Sequence, residues 1–252
     1  MVETTSGGRL DRAVRTDAVE FTGRPRPGCI LYTCEHASRR VPRPLRTTAL
    51  DRQLLAMHWG YDIGAAWLTR ELVRLGRDTG VLARASRLVA DLNRNPLEET
   101  YILRDTHEGV VSFNTTVDAA EHARRTARFF TPFHEAVRDR LALTRPRLLF
   151  SIHSYTPVWR GQPRTVEAGV LFDQHDEAAL RLVEGLRAEG LRAEPNEPYS
   201  GKVGLIYSAA LHGQAAGVPY LELEVRQDLI ATRPLAVAMA ARVRRALTAS
   251  GW

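Results

Sequence analysis

Three short stretches carry the residue types that bind cations and move protons: Glu35-His36, His153-Ser154, and Glu222-Leu223-Glu224-Val225-Arg226. Imidazole and carboxylate suit zinc, and a catalytic zinc site needs about three protein ligands with one position open to water. A carboxylate beside such a centre is the usual general base. Read alone, a histidine after a strand often just caps a turn. His36 and His153 stand out because each follows an apolar run and opens a polar one. Glu222, Glu224 and Arg226 alternate and so share one face of a strand. On a solvated edge Arg226 would simply pair with Glu224; in a central strand the two carboxylates need a metal, a water or an arginine to offset their burial. In Ser86-Arg87-Leu88-Val89-Ala90-Asp91-Leu92-Asn93-Arg94, the arginines either make structural salt bridges to Asp91 or form a fork for a substrate carboxylate. Asp62, between Gly60 and Gly64, is by itself an ordinary helix residue.

These residues need a scaffold that brings them together. Cys29–Cys34 and 148–152 are apolar and rich in strand formers, and 81–83, 88–92, 166–172 and 219–226 also read as strands. Helical spacing covers 50–75, 118–143, 176–190, 206–216 and 233–249. Asp118 is an N-cap candidate, and Pro132 predicts a kink or break. Strands alternating with helices give an α/β fold with a mostly parallel or mixed sheet flanked by helices. In such folds ligands bind at the carboxyl ends of the strands, where the first two motifs lie. Residues 1–27 read as a frayed N-terminal extension, 28–252 as a single domain, and 97–117 as an excursion or lid-like loop.

Composition narrows the function classes. With 252 residues and 44% hydrophobic content, the chain can bury a sizeable core, which excludes a disordered protein. The net charge of +6 does not signal nucleic acid, because the basic residues other than Lys202 are all arginine and are dispersed. No apolar run approaches the ~20 residues of a membrane span, and the first residues lack a signal-peptide core, so a cytoplasmic protein is expected. Two cysteines build no disulfide framework. A serine nucleophile has no GxSxG elbow, and Cys34 sits on a strand instead of an exposed turn.

Taken in order, Cys34-Glu35-His36-Ala37-Ser38, Asp62-Ile63-Gly64-Ala65, Ser86 to Arg94, Ser151-Ile152-His153-Ser154-Tyr155-Thr156-Pro157 and Glu222 to Leu229 resemble the N-formylglutamate amidohydrolase family. Pro132-Phe133-His134 resembles its proline-aromatic-histidine element. The resemblance spans roughly residues 29–230. It implies a phosphorylase/hydrolase-like fold related to zinc carboxypeptidases, with one zinc per chain. It also implies cleavage of N-formyl-L-glutamate to formate and glutamate, the closing step of one histidine-degradation route. Carried over, His36, Asp62 and His153 would hold the metal, with Glu35 competing with Asp62, and Glu224 would be the general base and acid. Arg87, Asn93, Arg94 and Arg226 would hold substrate carboxylates. Ser154, Tyr199 and Ser200 complete the expected substrate contacts, and His134 either lines the pocket or packs its helix. Glu35 stands where many members carry proline, which marks a divergent Cys-Glu-His branch and leaves the substrate less determined than the chemistry. Two alternatives stay open: a zinc amidase or carboxypeptidase-like enzyme on another amide, and a non-catalytic carboxylate-binding protein.

Overall fold

The computed structural model describes residues 17–252. Its elements run β1 (Val19–Gly23), β2 (Ile30–Cys34), α1 (Ala49–Ala56), α2 (Ala65–Gly76), β3 (Thr79–Ala83), then a small hairpin of β4 (Asp105–Thr106) and β5 (Gly109–Val110). Next come α3 (Ala119–Arg125), α4 (Thr131–Thr144), β6 (Leu148–Tyr155), a second hairpin of β7 (Val158–Trp159) and β8 (Gln162–Pro163), and β9 (Ala168–Leu171). The chain closes with α5 (Asp176–Ala188), β10 (Ala193–Pro195), α6 (Tyr207–Ala216), β11 (Tyr220–Arg226) and α7 (Arg233–Ala249).

Seven strands form one sheet in the order β1-β3-β2-β6-β11-β9-β10. Strands β3, β2, β6 and β11 are parallel neighbours, β1 is antiparallel to β3, and β9 is antiparallel to β11. The sheet is therefore mixed, with helices on both faces. Alternate residues divide between the layers. Ile30, Tyr32, Leu221 and Leu223 pack against α2, α5 and α7, whereas Leu31, Leu149 and Tyr220 share a cluster with Phe133 and Val137 of α4. Burial on both faces leaves every residue of β2 and β6 buried.

The chain leaves β2 towards β3 on one side and leaves β6 towards β9 and β11 on the other. This divergence opens a crevice at the carboxyl ends of β2 and β6, the usual ligand position in such sheets.

Three expectations need correction. Residues 19–23, expected to fray, form an edge strand whose partners run from Val19–Ala83 to Gly23–Thr79. Residues 1–16 of the expected extension lie outside the described residues. The helix expected over 50–75 is two helices, because the chain turns at 57–64. Gly64 takes φ +85, and a Cβ there would lie 2.1 Å from the carbonyl oxygen of Ile230, so only glycine can begin α2 in this way. Residues 88–92 are no strand; they form turns held by side chains described below. The 118–143 helix, by contrast, is capped by Asp118 and breaks near Pro132 as expected, widening into a π turn at Thr126–Phe130. Proline, lacking an N–H, then sits in the first turn of α4, where none is required.

Both cysteines are free. Among the described residues, no helix is long and apolar enough to cross a membrane.

Candidate metal centre and cleft

The register of the central strands assembles the site. β11 lies beside β6 with Glu222 opposite Ser151 and Glu224 opposite His153. All four side chains project from the face that carries α4 and α6, since they alternate with Ile152 and Leu223 of the opposite core. His36 follows β2 by two residues, and the Asp62 N–H donates to the His36 carbonyl at 3.0 Å. That bond brings the turn before Gly64 against the end of β2.

The two imidazoles meet nearly edge to face, ring centroids 4.8 Å apart and planes at 78°. Each has a carboxylate on its Nε2: His36 Nε2 lies 2.7 Å from Asp91 Oδ1, and His153 Nε2 lies 3.2 Å from Glu35 Oε2. With Nε2 of each ring turned to its carboxylate, both Nδ1 atoms turn to the same oxygen. Asp62 Oδ2 is 2.8 Å from His153 Nδ1 and 3.4 Å from His36 Nδ1. A carboxylate oxygen between two ring nitrogens calls for positive charge at this point, supplied by a proton or a metal ion, and His36 Nδ1 is buried without a hydrogen-bond partner. One donor atom from each of His36, Asp62 and His153 falls within 4.8 Å of the others. Two nitrogens, one carboxylate oxygen and a carboxylate behind each histidine suit a zinc-type ligand set.

Glu35 holds a different position from the one that would make it a ligand. It is fully buried, accepts from Ser151 Oγ at 2.7 Å, and sits on the far nitrogen of His153. Burial alone would raise its pKa, yet the hydrogen bonds and charge of His153, with Ser151, bring it down to about 2. Asp62 is likewise held below the usual carboxylate range, because the His36 charge and the His153 bond outweigh its burial. For His153, burial opposes ionisation, but Glu222, Asp62 and Glu35 together raise its pKa well above the ordinary value. The pocket floor thus favours positive charge.

Glu222 and Glu224 adjoin this cluster at His153: one donor atom from each of the three lies within 4.8 Å of the others, and Glu222 Oε2 is 3.6 Å from His153 Nε2. Burial raises Glu222 to about 7 and raises Glu224 well above the usual range. Glu222 is tied to the wall, accepting from Asn93 Nδ2 at 3.3 Å. Glu224 Oε2 is buried with no partner. Since β11 is flanked by β6 and β9, the two carboxylates do not stand on a solvated edge.

The 86–94 segment is irregular in backbone and over-determined by side chains. Arg87 donates to Asp91 Oδ2 from Nε at 3.1 Å and Nη2 at 2.7 Å, and lies 3.6 Å from Asp62. Its guanidinium braces two carboxylates, matching the salt-bridge alternative. Asp91 also caps the Asn93 N–H at 2.9 Å. Buried Arg125 and Asn114 hold the carbonyls of Val89 and Leu88, and His134 Nε2 lies 3.1 Å from the Leu92 carbonyl.

A cavity of about 340 Å³ opens over the cluster, lined by Arg87, Asn93, Arg94, Ser154, Tyr199 and Glu224 among others. Two expected contacts are placed elsewhere. Arg226 is engaged by Asp228 at 2.8 Å and the Arg164 carbonyl at 3.1 Å, and Ser200 Oγ caps the Lys202 N–H; neither borders the cavity. His134 packs its helix, 2.8 Å from His212. Burial pushes the Cys34 thiol up to about 12, in the core away from the cleft. The excursion at 97–117 contributes Thr100 and Leu103 to the cavity wall. Trp59 and Trp159 were invisible as site residues in the sequence, although each borders a turn signal, Gly60 and Pro157 respectively.

Comparison with known proteins gives a consistent picture. The model of the family described as N-formylglutamate amidohydrolase matches residues 28–231. The crystal structure of gene product Atu2144 from Agrobacterium tumefaciens is similar at 29% identity with TM-score 0.85, over 93% of this chain and 95% of that one. The N-formylglutamate amidohydrolase from Ralstonia eutropha JMP134 shares the fold at 16% identity with TM-score 0.71, over 94% and 98%. Among curated proteins, none matches the chain.

Proposed function

Because the chain belongs to the N-formylglutamate amidohydrolase family, we propose that it hydrolyses the C–N bond of an N-acyl amino acid with one divalent metal, zinc, per chain. The substrate implied by the family is N-formyl-L-glutamate, released as formate and glutamate. The observation that carries this reading is the convergence of His36 Nδ1, His153 Nδ1 and Asp62 Oδ2, each ring anchored from behind by a carboxylate.

His36, Asp62 and His153 would hold the metal, which when bound supplies Lewis acidity to a carbonyl and acidifies water towards a pKa of ~7. Asp91 and Glu35 keep the imidazoles in the tautomer that offers Nδ1. Glu224 Oε2, unpartnered in the structure, accepts the proton of the water that adds to the amide carbon. The C–N bond then breaks, and the same carboxyl returns the proton to the departing amine. Its raised pKa, caused by burial, makes it a stronger base than an exposed glutamate. Arg94 binds the substrate carboxylate, and the walls limit bulk water around the reacting bond.

Elemental analysis of purified protein, with formate or amine release from a panel of N-acyl amino acids, tests this reading. About one zinc per chain and chelator-sensitive hydrolysis are expected. Glu224→Gln should keep the metal and lose roughly 10²–10⁴-fold in turnover. No metal after zinc is added back, or normal turnover by that variant, overturns it; in a binding protein the variant would merely keep its affinity.

A further inference from the structure

The substrate implied by the family carries two carboxylates, and the arginines expected to receive them are mostly engaged. Arg87 is paired with Asp91 and Asp62, and Arg226 with Asp228. Arg94 lines the cavity and makes no ion pair among the described residues. One guanidinium is thus free for two carboxylates, and the second needs another partner.

A further guanidinium stands just behind the cavity wall. Arg164 follows the β7–β8 hairpin, its N–H bonded to the Pro157 carbonyl at 2.8 Å and its own carbonyl accepting from Arg226 Nη1 at 3.1 Å. Arg226, turned from the cavity, therefore holds the backbone of Arg164 in place. The Arg164 guanidinium lies 5.1 Å from the Tyr199 ring centre, 5.3 Å from that of Tyr155 and 5.4 Å from that of Trp159. It makes no ion pair among the described residues, so three rings fix it while no acid cancels its charge. Arg160 brings another cation to Trp159, at 5.9 Å.

Arg164 does not border the cavity, but Tyr199 does, and the bond between them has a forced direction. Arg164 Nη1 lies 3.0 Å from Tyr199 Oη, and a guanidinium only donates. The phenolic oxygen is the acceptor, which leaves its own O–H without an acceptor among the described residues. Tyr155, its neighbour in the wall, gives its O–H to the Val166 carbonyl. Burial and the charge of Glu224 push the Tyr199 pKa up, so the phenol keeps its proton at neutral pH. Tyr199 offers the cavity a neutral donor with a fixed positive charge behind it. A bond from such a donor to a carboxylate is charge-assisted and reinforced by the one from Arg164.

We propose that Tyr199, backed by Arg164, receives one carboxylate of the substrate while Arg94 holds the other, and that this pair selects dicarboxylic N-acyl amino acids. The proposal rests on the amidohydrolase reading and names the residues that set its specificity. Tyr199 makes the contact; Arg164 is a positioning residue that acts through it.

Calorimetric titration of full-length, zinc-loaded Glu224→Gln protein tests this with three probes. They are N-formyl-L-glutamate, N-formyl-L-glutamine, which lacks the side-chain charge, and the α-amide of N-formyl-L-glutamate, which lacks the other. Adding Tyr199→Phe, which removes only the hydroxyl, should weaken N-formyl-L-glutamate about 10–100-fold, as for a lost hydrogen bond to a charged group. One amide should show the same loss and the other a loss about fivefold or more smaller, which identifies the carboxylate held. Arg164→Gln should give the same selective pattern. The double variant should lose no more than the larger single loss, because the arginine acts through the phenol. An equal loss for all three probes, as a merely structural role would give, overturns the proposal. So do unchanged affinities in Tyr199→Phe, additive losses, or no binding of N-formyl-L-glutamate. The amidohydrolase reading fails separately, if the zinc-loaded wild-type chain releases no formate from any of the three.

Discussion

Acidification from pH 7.5 to 5.0 should destabilise this protein through a histidine pair outside the cleft. His134 and His212 are both buried, with His134 Nδ1 2.8 Å from His212 Nε2 and His134 Nε2 3.1 Å from the Leu92 carbonyl. Only one proton arrangement satisfies this chain. His134 donates Nε2–H to Leu92, so its Nδ1 is a lone pair that accepts Nε2–H from His212. Protonating both rings would set two N–H groups against each other, between Phe130 and Tyr207 rings that offer no counter-charge. Burial accordingly lowers His134 to about 3 and His212 to about 4. In the unfolded chain both titrate near ~6.5. The unfolded state therefore binds more protons below that value, and stability present above it is lost as pH falls towards the folded values. At pH 5.0 each histidine contributes a loss of about 2 kcal/mol, about 4 kcal/mol for the pair, from ~1.36 kcal/mol per unit of unshared titration. That is a large part of the ~5–15 kcal/mol typical of a domain. Urea unfolding at the two pH values, for wild type and His134→Gln/His212→Gln, isolates the effect, because glutamine keeps a donor and an acceptor without titrating. The double variant should lose about 4 kcal/mol less than wild type over this interval. Equal losses would refute the reasoning.

Two further outcomes follow from the geometry. Asp91→Asn removes the charge behind His36 and half the bracing of Arg87, so zinc affinity measured against a competing chelator should fall about 10–100-fold; an unchanged affinity means Asp91 does not set the imidazole. Gly64→Ala places a methyl group at φ +85, 2.1 Å from the Ile230 carbonyl oxygen, and should cost roughly 2–4 kcal/mol in denaturant unfolding. Wild-type stability in that variant would show that the turn carrying Asp62 tolerates a side chain.

The residues that can hold a cation are legible in the sequence because chemistry is local to side-chain type. An apolar run ending in His36 or His153, and two glutamates two apart on a strand, are patterns that a buried parallel sheet imposes on its sequence. The α/β class and the five-motif family resemblance came from the same source, and the family match over residues 28–231 agrees with it. What escaped the sequence depends on distance along the chain. Periodicity carried one helix through 50–75, whereas the close approach of Ile230 to Gly64 breaks it and frees Asp62 to reach His153. The 88–92 run has strand composition, yet Arg125, Asn114 and His134 satisfy its backbone carbonyls and no ladder forms.

By itself, then, the sequence determined the fold class, the two histidines and the carboxylate pair, because those follow from residue type and strand period. Tertiary structure alone decided the partners. It set Asp62, not Glu35, beside both Nδ1 atoms, and it bound Arg87 to aspartates and turned Arg226 away to Asp228. It also joined Trp59 and Trp159, a hundred residues apart in sequence, into one wall. Charge pairing and ring packing act over a few ångströms in space, and only the folded chain specifies which groups come that close.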